Sequence, residues 1–368
     1  MQKKILIGIC DIGMGHFNRQ ACIIKELLKY DVDLLLTYTD NNKELLDCRY
    51  PDIPKVKINI PWIACDNNGL NFEKSLEIYN SKKIDYYSEF LQFCINVEKY
   101  FNGQPDYVFT DYECNVAKYA YARNLPLIGM EQHSKFLFLD IDDSVMSNKY
   151  NVNEESSRLR FFFPKVNYRI ISSFFPIKKI SNALLLPPIF NLDTERVESQ
   201  NFILCYFSPY VSDIHFFDKI YNMIKNDKSN KYVVYTKFPF PSDDNIVVKR
   251  FSDEFKSELA KCKCLISTAG HQLISEAIYL EKPMYLMPID TFEQNYSNLM
   301  VKKYSLGKDI HDSYSNFLDN LDHIRENMIR YKYSFWKDSW KKLLNSFFLN
   351  NLGLEVKKYE ISKTFEKK

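Results

Sequence analysis

Residues 264–277 read CLISTAGHQLISEA: an apolar run, a turn of small residues containing Gly270, and the opening of a helix. The chain holds only 9 glycines in 368 residues, below the usual share of roughly 7%, so a glycine at a strand-to-helix junction needs a reason. The first N–H groups of a helix have no partner within it, and the helix dipole adds positive potential there. A small residue at that point lets an anion such as a phosphate approach closely. Thr268 and Gln272 can add hydrogen bonds, and Glu276 stands one turn into the helix, where a ribose diol would meet a carboxylate. Taken alone, the same stretch also reads as a tight turn followed by an exposed glutamate.

The pattern around this stretch repeats. FILCYF (202–207), KYVVYT (231–236), NIVVKR (245–250) and PMYLMP (283–288) are apolar strands. Helices are expected near 213–225, over 253–261, from His271 and from Phe292. The first half alternates in the same way: KILIGIC (4–10), a helix over 17–30, VDLLLTY (32–38), a long helical stretch at 72–100, PDYVFTD (105–111), a helix over 115–124 and LPLIGM (125–130). Continuous apolar strands separated by helices predict parallel sheets covered on both faces. The expected fold class is therefore α/β, with two Rossmann-like, doubly wound domains. ALLLPPIFN (183–191) is the expected hinge, because a proline pair breaks helix and strand alike. The domains then span 1–185 and 186–368, with ligands in the cleft between their strand C-terminal edges. Residues 141–160, polar and irregular, read as a mobile loop.

Composition bounds the function. Hydrophobic residues make up 46% and charged residues 26%, which is globular. A formal net charge of +2 argues against a nucleic-acid partner bound mainly through its phosphates. The apolar run after the two N-terminal lysines is too short for a signal-peptide core, and no stretch approaches 18 apolar residues. Nine cysteines show no paired metal spacing; reduced, mostly buried thiols in a cytoplasmic protein are expected.

The run STAGHQLISEAIYLEKPMYLMPIDTFEQNYSNL (267–299) resembles the donor-binding segment of GT-B glycosyltransferases. It is most similar to the MurG-like type with a glycosyltransferase family 28 C-terminal domain, and is similar also to UDP-sugar transferases of the UGT type. By that resemblance Thr268, Ala269, Gly270, His271 and Gln272 hold the donor diphosphate, Glu276 the ribose, and Glu293 with Gln294 the sugar hydroxyls. Two departures stand out: Ala269 replaces the first glycine of a pair, and Glu281 stands where glycine usually precedes Lys-Pro. DIGMGHFNRQ (11–20) contains Gly13 and Gly15 and resembles the GxGH loop that opens such enzymes, in which Gly15 and His16 face the cleft. PDYVFTDYECNVAKYAYARNLPLIGMEQHSKF (105–136) resembles the later strand, helix and strand of the same domain.

The resemblance implies transfer of a hexosyl group from a nucleotide sugar, UDP-linked by expectation, to an acceptor hydroxyl, with inversion. A neutral imidazole at His16 can take the acceptor's proton as its oxygen attacks, with Asp111 orienting the ring. The alternatives are that His16 serves only its loop backbone and that Asp111 is a helix N-cap. Glu113 and His133 are further candidates on the acceptor side. No metal and no cofactor are expected, since the nucleotide sugar is a substrate and helix N–H groups can stabilise the leaving diphosphate; IDD at 141–143 reads as solvated surface. A hydrolase of nucleotide sugars and a non-catalytic nucleotide-sugar-binding protein remain as other readings.

Near the C-terminus, Trp336, Trp340, Leu343, Leu344 and Phe347 recur at helical spacing among lysines. Such a helix either packs across on the first domain or lies on an anionic membrane. The basic aromatic stretch SRLRFFFPK (157–165) poses the same choice, and a glycan, lipid-linked or small-molecule acceptor fits either. A peripheral place on the inner membrane face therefore stays open beside a purely cytoplasmic one.

Overall fold

The computed structural model describes residues 2–11, 14–61, 63–66, 69–138, 152–177, 182–190, 197–209, 211, 213–252 and 254–357. Gly13 and the IDD stretch lie outside them. In the first half, β1 (Lys3–Ile9), α1 (Met14–Leu27), β2 (Val32–Tyr38), α2 (Lys43–Arg49) and β3 (Lys55–Lys57) follow in order. A short antiparallel pair, β4 (Cys65–Asp66) and β5 (Gly69–Leu70), precedes α3 (Phe72–Ser81) and α4 (Tyr86–Phe101). Then come β6 (Tyr107–Asp111), α5 (Cys114–Arg123), β7 (Leu127–Gly129), α6 (Val152–Phe162), β8 (Tyr168–Ser172) and β9 (Ala183–Leu186). The seven long-range partners form one parallel sheet in the order β3-β2-β1-β6-β7-β8-β9.

The second half runs β10 (Ile203–Tyr206), α7 (Asp218–Asn226), β11 (Tyr232–Tyr235), β12 (Ile246–Lys249), α8 (Glu254–Lys261), β13 (Cys264–Ser267) and α9 (His271–Tyr279). It continues with β14 (Met284–Leu286), α10 (Phe292–Lys303), β15 (Gly307–Asp309), α11 (Tyr314–Asp319), α12 (Leu321–Phe335) and α13 (Trp340–Asn350). Its parallel sheet has the order β12-β11-β10-β13-β14-β15. Both sheets reverse winding direction at one point, between β1 and β6 and between β10 and β13. The loops leaving those strands open the crevice in which doubly wound sheets take ligands.

Two sequence expectations change. Residues 152–162 are helix α6 rather than loop, while 139–151 lie outside the described residues. The stretch at 72–100 is two helices, because Lys83 takes a left-handed φ of 50° and Asp85 then caps α4 through Ser88 N.

The cores interlock. Both faces of the first sheet are covered, one by α4 and α5 and the other by α1 together with α13. Trp340, Leu344, Phe347 and Phe348 of α13 are buried against β1, α1 and β9 residues. Asn345 fixes the helix by donating to Glu26 Oε2 at 2.7 Å and accepting from Tyr30 Oη at 2.7 Å. In the other direction, Phe136, Phe174 and Phe175 belong to the second core, and Tyr331 Oη donates to Phe174 O at 2.6 Å.

Candidate active site

The β1–α1 turn places His16 in the first helical turn, and parallel pairing sets Ile9 beside Asp111 at the end of β6. Asp111 is fully buried. It accepts from His16 Nδ1 at 2.9 Å, from Arg19 Nη2 at 2.8 and 2.7 Å, and from Gln20 Nε2 at 2.6 Å. Burial opposes its charge, but the Arg19 guanidinium and His16 outweigh that and hold the carboxyl at about 2. An ionised carboxylate only accepts, so the shorter contact to Asp111 puts the proton on Nδ1. Arg19 Nη2, 3.2 Å from that nitrogen, donates to the carboxylate instead, and the neutral ring keeps Nε2 as acceptor. Asp111 is thus the partner of the imidazole and not a cap: the N-cap of α5 is Glu113, which accepts from Asn115 N and Val116 N.

Glu113 is buried and turned into its own helix, away from the cleft role expected of it. Burial raises its pKa to about 7, against the pull of those amide bonds. Its neighbour Tyr112 has φ 59°, a left-handed backbone rare for a bulky residue and concentrated at functional sites. That turn sets the Tyr112 ring centroid 6.2 Å from His16 and 4.8 Å from His133. His133 in turn stacks on His16 at 5.9 Å with 11° between the rings.

The second domain reaches the same spot. Glu293, at the start of α10, accepts from Gln132 Nε2 at 2.8 Å and bonds His133 Nε2 at 3.1 Å. Burial again opposes the charge, but His133 and Lys135 hold the Glu293 carboxyl at about 2. An anionic Glu293 therefore bridges the domains beside the imidazole of His16.

Around the turn after β13, Gly270 is the N-cap of α9 with φ −68° and ψ 128°. No positive φ requires glycine there, and a Cβ would meet no atom within 4 Å. The missing side chain leaves open the space in front of the α9 N-terminus. Across the cleft, a Cβ on Gly15 would lie 3.7 Å from Gln272 Cβ, so the first turns of α1 and α9 face each other. Two helix N-termini meeting across the domains bring their unpaired N–H groups and positive potential to one place.

The remaining residues of the turn divide. Gln294 Oε1 accepts from Ala269 N at 2.9 Å and Ile289 N at 3.2 Å, tying the turn to the loop before α10. Thr268 is buried beside it. His271 is buried, and its Nε2 accepts from Phe174 N at 3.3 Å. Burial with the nearby Lys135 and Arg19 charges holds the His271 ring well below its ordinary pKa. Its side chain is thus an interdomain strut. Gln272 Nε2 donates to Glu276 Oε1 at 3.0 Å and to Ile189 O at 3.3 Å. Glu276 is buried, which raises its pKa.

The structure therefore gathers His16, Asp111, His133 and Glu293 at one end of the cleft, with Gly15, Gly270, Gln272 and Glu276 alongside. Arg19, Tyr112 and Gln132 join them without having been singled out in the sequence. Arg19 carried a signal, one helical turn beyond His16; the other two carried none.

A family profile described as glycosyl transferase family 1 matches residues 3–323. No curated protein matches the sequence significantly. Among solved structures, a UDP-glucosyltransferase from Polygonum tinctorium capable of glucosylating indoxyl is similar at TM-score 0.67 and 10% identity, over 94% of this chain and 98% of that one. The calicheamicin glycosyltransferase CalG4 is similar at TM-score 0.64 and 14% identity, over 96% and 98%. Phytolacca americana UGT2, complexed with UDP-2-fluoro-glucose and pterostilbene, is similar at TM-score 0.67 and 10% identity, over 95% and 100%. These identities speak for the fold, and the profile speaks for the family: two facing parallel-sheet domains of this kind are the GT-B fold, and the chain is a glycosyltransferase that belongs to glycosyl transferase family 1.

Proposed function

We propose that the protein moves a sugar from a UDP-linked donor to a hydroxyl acceptor with inversion, His16 acting as general base and no metal taking part. The convergence of the α1 and α9 N-termini at Gly15 and Gln272 carries this reading. A diphosphate seated beside that contact, in the open space at Gly270, has amide donors from both domains. Its sugar then extends toward Glu293 and Gln294, beside the imidazole.

The acceptor oxygen approaches from the Tyr112–His133 side. Its proton passes to His16 Nε2 while its electron pair forms the bond to the anomeric carbon. The bond from that carbon to the diphosphate oxygen breaks on the opposite face, and the electron pair leaves with the diphosphate. Attack opposite the leaving group inverts the centre. Asp111, held ionised, stabilises the imidazolium that forms. The charge building on the diphosphate meets preorganised N–H groups, the kind of stabilisation that dominates such barriers.

The test is incubation of purified protein with UDP-glucose and a panel of small phenols and alcohols, with and without EDTA, followed by NMR of the products. The expected product is a glycoside of inverted anomeric configuration, formed equally in EDTA. Free glucose released at the same rate without acceptor would identify a hydrolase. UDP binding with neither product would identify a binding protein.

A further inference from the structure

Arg19 lies one helical turn beyond His16 on α1 and is only 2% exposed. A buried guanidinium is costly to desolvate unless a well-placed anion answers it. Its Nη2 donates to both oxygens of Asp111, at 2.8 and 2.7 Å, and lies 3.2 Å from His16 Nδ1. Its Nε, also buried, has no hydrogen-bond partner among the described residues. The guanidinium is thus directed at the carboxylate rather than spread over the core around α1. With His16 on Oδ1 and Gln20 on Oδ2, the carboxylate is pinned at both oxygens.

We propose that Arg19 is a positioning residue for proton transfer: it fixes Asp111 as an ionised acceptor facing His16 Nδ1, and so fixes which ring nitrogen receives the proton. The proposal rests on the reading of His16 as base and adds the group that sets its tautomer. Burial works against ionisation of Asp111, and the Arg19 charge is the strongest influence opposing it, ahead of His16 and Gln20. The other charged and titratable groups nearby are engaged elsewhere. Glu131, close enough to feel the Asp111 charge, pairs with Arg169 at 3.0 Å, and Glu113 caps α5. Across the cleft Glu293 bonds His133, His271 bonds Phe174 N, and the Lys135 charge acts on Glu293 and His271. Without Arg19, no lysine or arginine among the described residues is within hydrogen-bond reach of Asp111. A carboxyl that then keeps its proton donates to Nδ1. The neutral ring carries its own hydrogen on Nε2, where the acceptor's proton has to go. Raising the pH restores the carboxylate and with it the working tautomer.

Initial rates from pH 5.5 to 9, with UDP-glucose and an acceptor that the wild type glucosylates, test this on Arg19→Met, Arg19→Gln, Arg19→Lys and His16→Ala. Circular dichroism melts check that each variant folds. Arg19→Met should lose about 100-fold in kcat at pH 6 but about tenfold or less at pH 9, with KM for UDP-glucose unchanged. Arg19→Lys keeps the charge, so its ratio to wild type should stay flat across the range. Nitrogen-15 spectra of the six histidines, with His16 assigned by its absence from His16→Ala, give the tautomer directly. Hydrogen is expected on Nδ1 in the wild type and on Nε2 in Arg19→Met at pH 6. A loss in Arg19→Met that is equal at every pH, or no loss, would overturn the proposal and make Arg19 a packing residue. An unchanged tautomer would overturn it too. If His16→Ala turns over normally, the reading of His16 as base falls, whatever Arg19 does. If the wild type glucosylates no acceptor, the transfer reading falls and the histidine spectra alone decide on Arg19. Should Arg19→Met not fold, Arg19→Gln, which keeps a donor and carries no charge, decides by the same comparison.

Discussion

In the proposed transfer, His16 is the proton acceptor at the cleft and Asp111 a carboxylate with no solvent contact behind it. His16→Ala removes the acceptor nitrogen while leaving the α1 N-terminus in place. Turnover should fall by about 100-fold or more with UDP affinity near normal, measured by initial rates and calorimetry. A second residue, Glu113, gives the protein a pH signature. Its folded pKa of about 7 exceeds the unfolded value, so the folded chain keeps a proton that the unfolded chain has released. The resulting stability is fully present below about 4.5 and is lost as pH rises through about 7. The Tm should therefore rise on going from pH 8 to pH 5.5 by more in the wild type than in Glu113→Gln. Asp111 and Glu276 were singled out by their places at a strand end and one turn into a helix, and His16 through the resemblance of its loop to GxGH. Tyr112 and Gln132 were not: the role of one depends on a backbone φ, and that of the other on the second domain arriving at Glu293.

At the scale of elements, the central strands were readable as continuous apolar runs, since both sheet faces are covered. What escaped was set by tertiary context. Helix α6 holds polar residues and the exposed Phe161, so its composition read as loop. The stripe Trp336–Phe347 read as one helix but is split, with α12 ending before Trp336 and α13 starting at Trp340. At Glu281, where the family resemblance leads one to expect glycine, the backbone still takes φ 57°. An ion pair from Lys332 to Glu281 at 2.7 Å holds the side chain there. Gly8 shows the opposite case, a glycine required by packing. A Cβ on it would lie 2.5 Å from Val116 Cγ2 of α5, and Val116 is fully buried. Gly8→Ala should cost about 1–3 kcal/mol through forced repacking, seen as a lower midpoint in urea.

The whole molecule joins its halves through more than a hinge. Aromatic residues of the first half lie in the second core, α13 lies in the first, and Glu293 bonds Gln132 and His133 across the cleft. Interdomain surfaces within a chain are ordinarily modest and permit independent melting. Here each core is incomplete without residues from the other half. Calorimetric unfolding should accordingly show one cooperative transition, with calorimetric and van't Hoff enthalpies equal; two separated peaks would contradict the interlock.

The placement of α13 also bears on the order of synthesis. β1 and α1 leave the ribosome well before α13, and the apolar surface they share with Trp340, Leu344 and Phe348 waits for residues 340–354 to emerge. Amino-terminal domains of most proteins complete themselves while translation continues. This one waits for α13, holding an open hydrophobic face until residues 340–354 follow, so a nascent chain arrested before residue 340 should bind chaperones, measurable by co-purification, where a chain released after residue 354 does not.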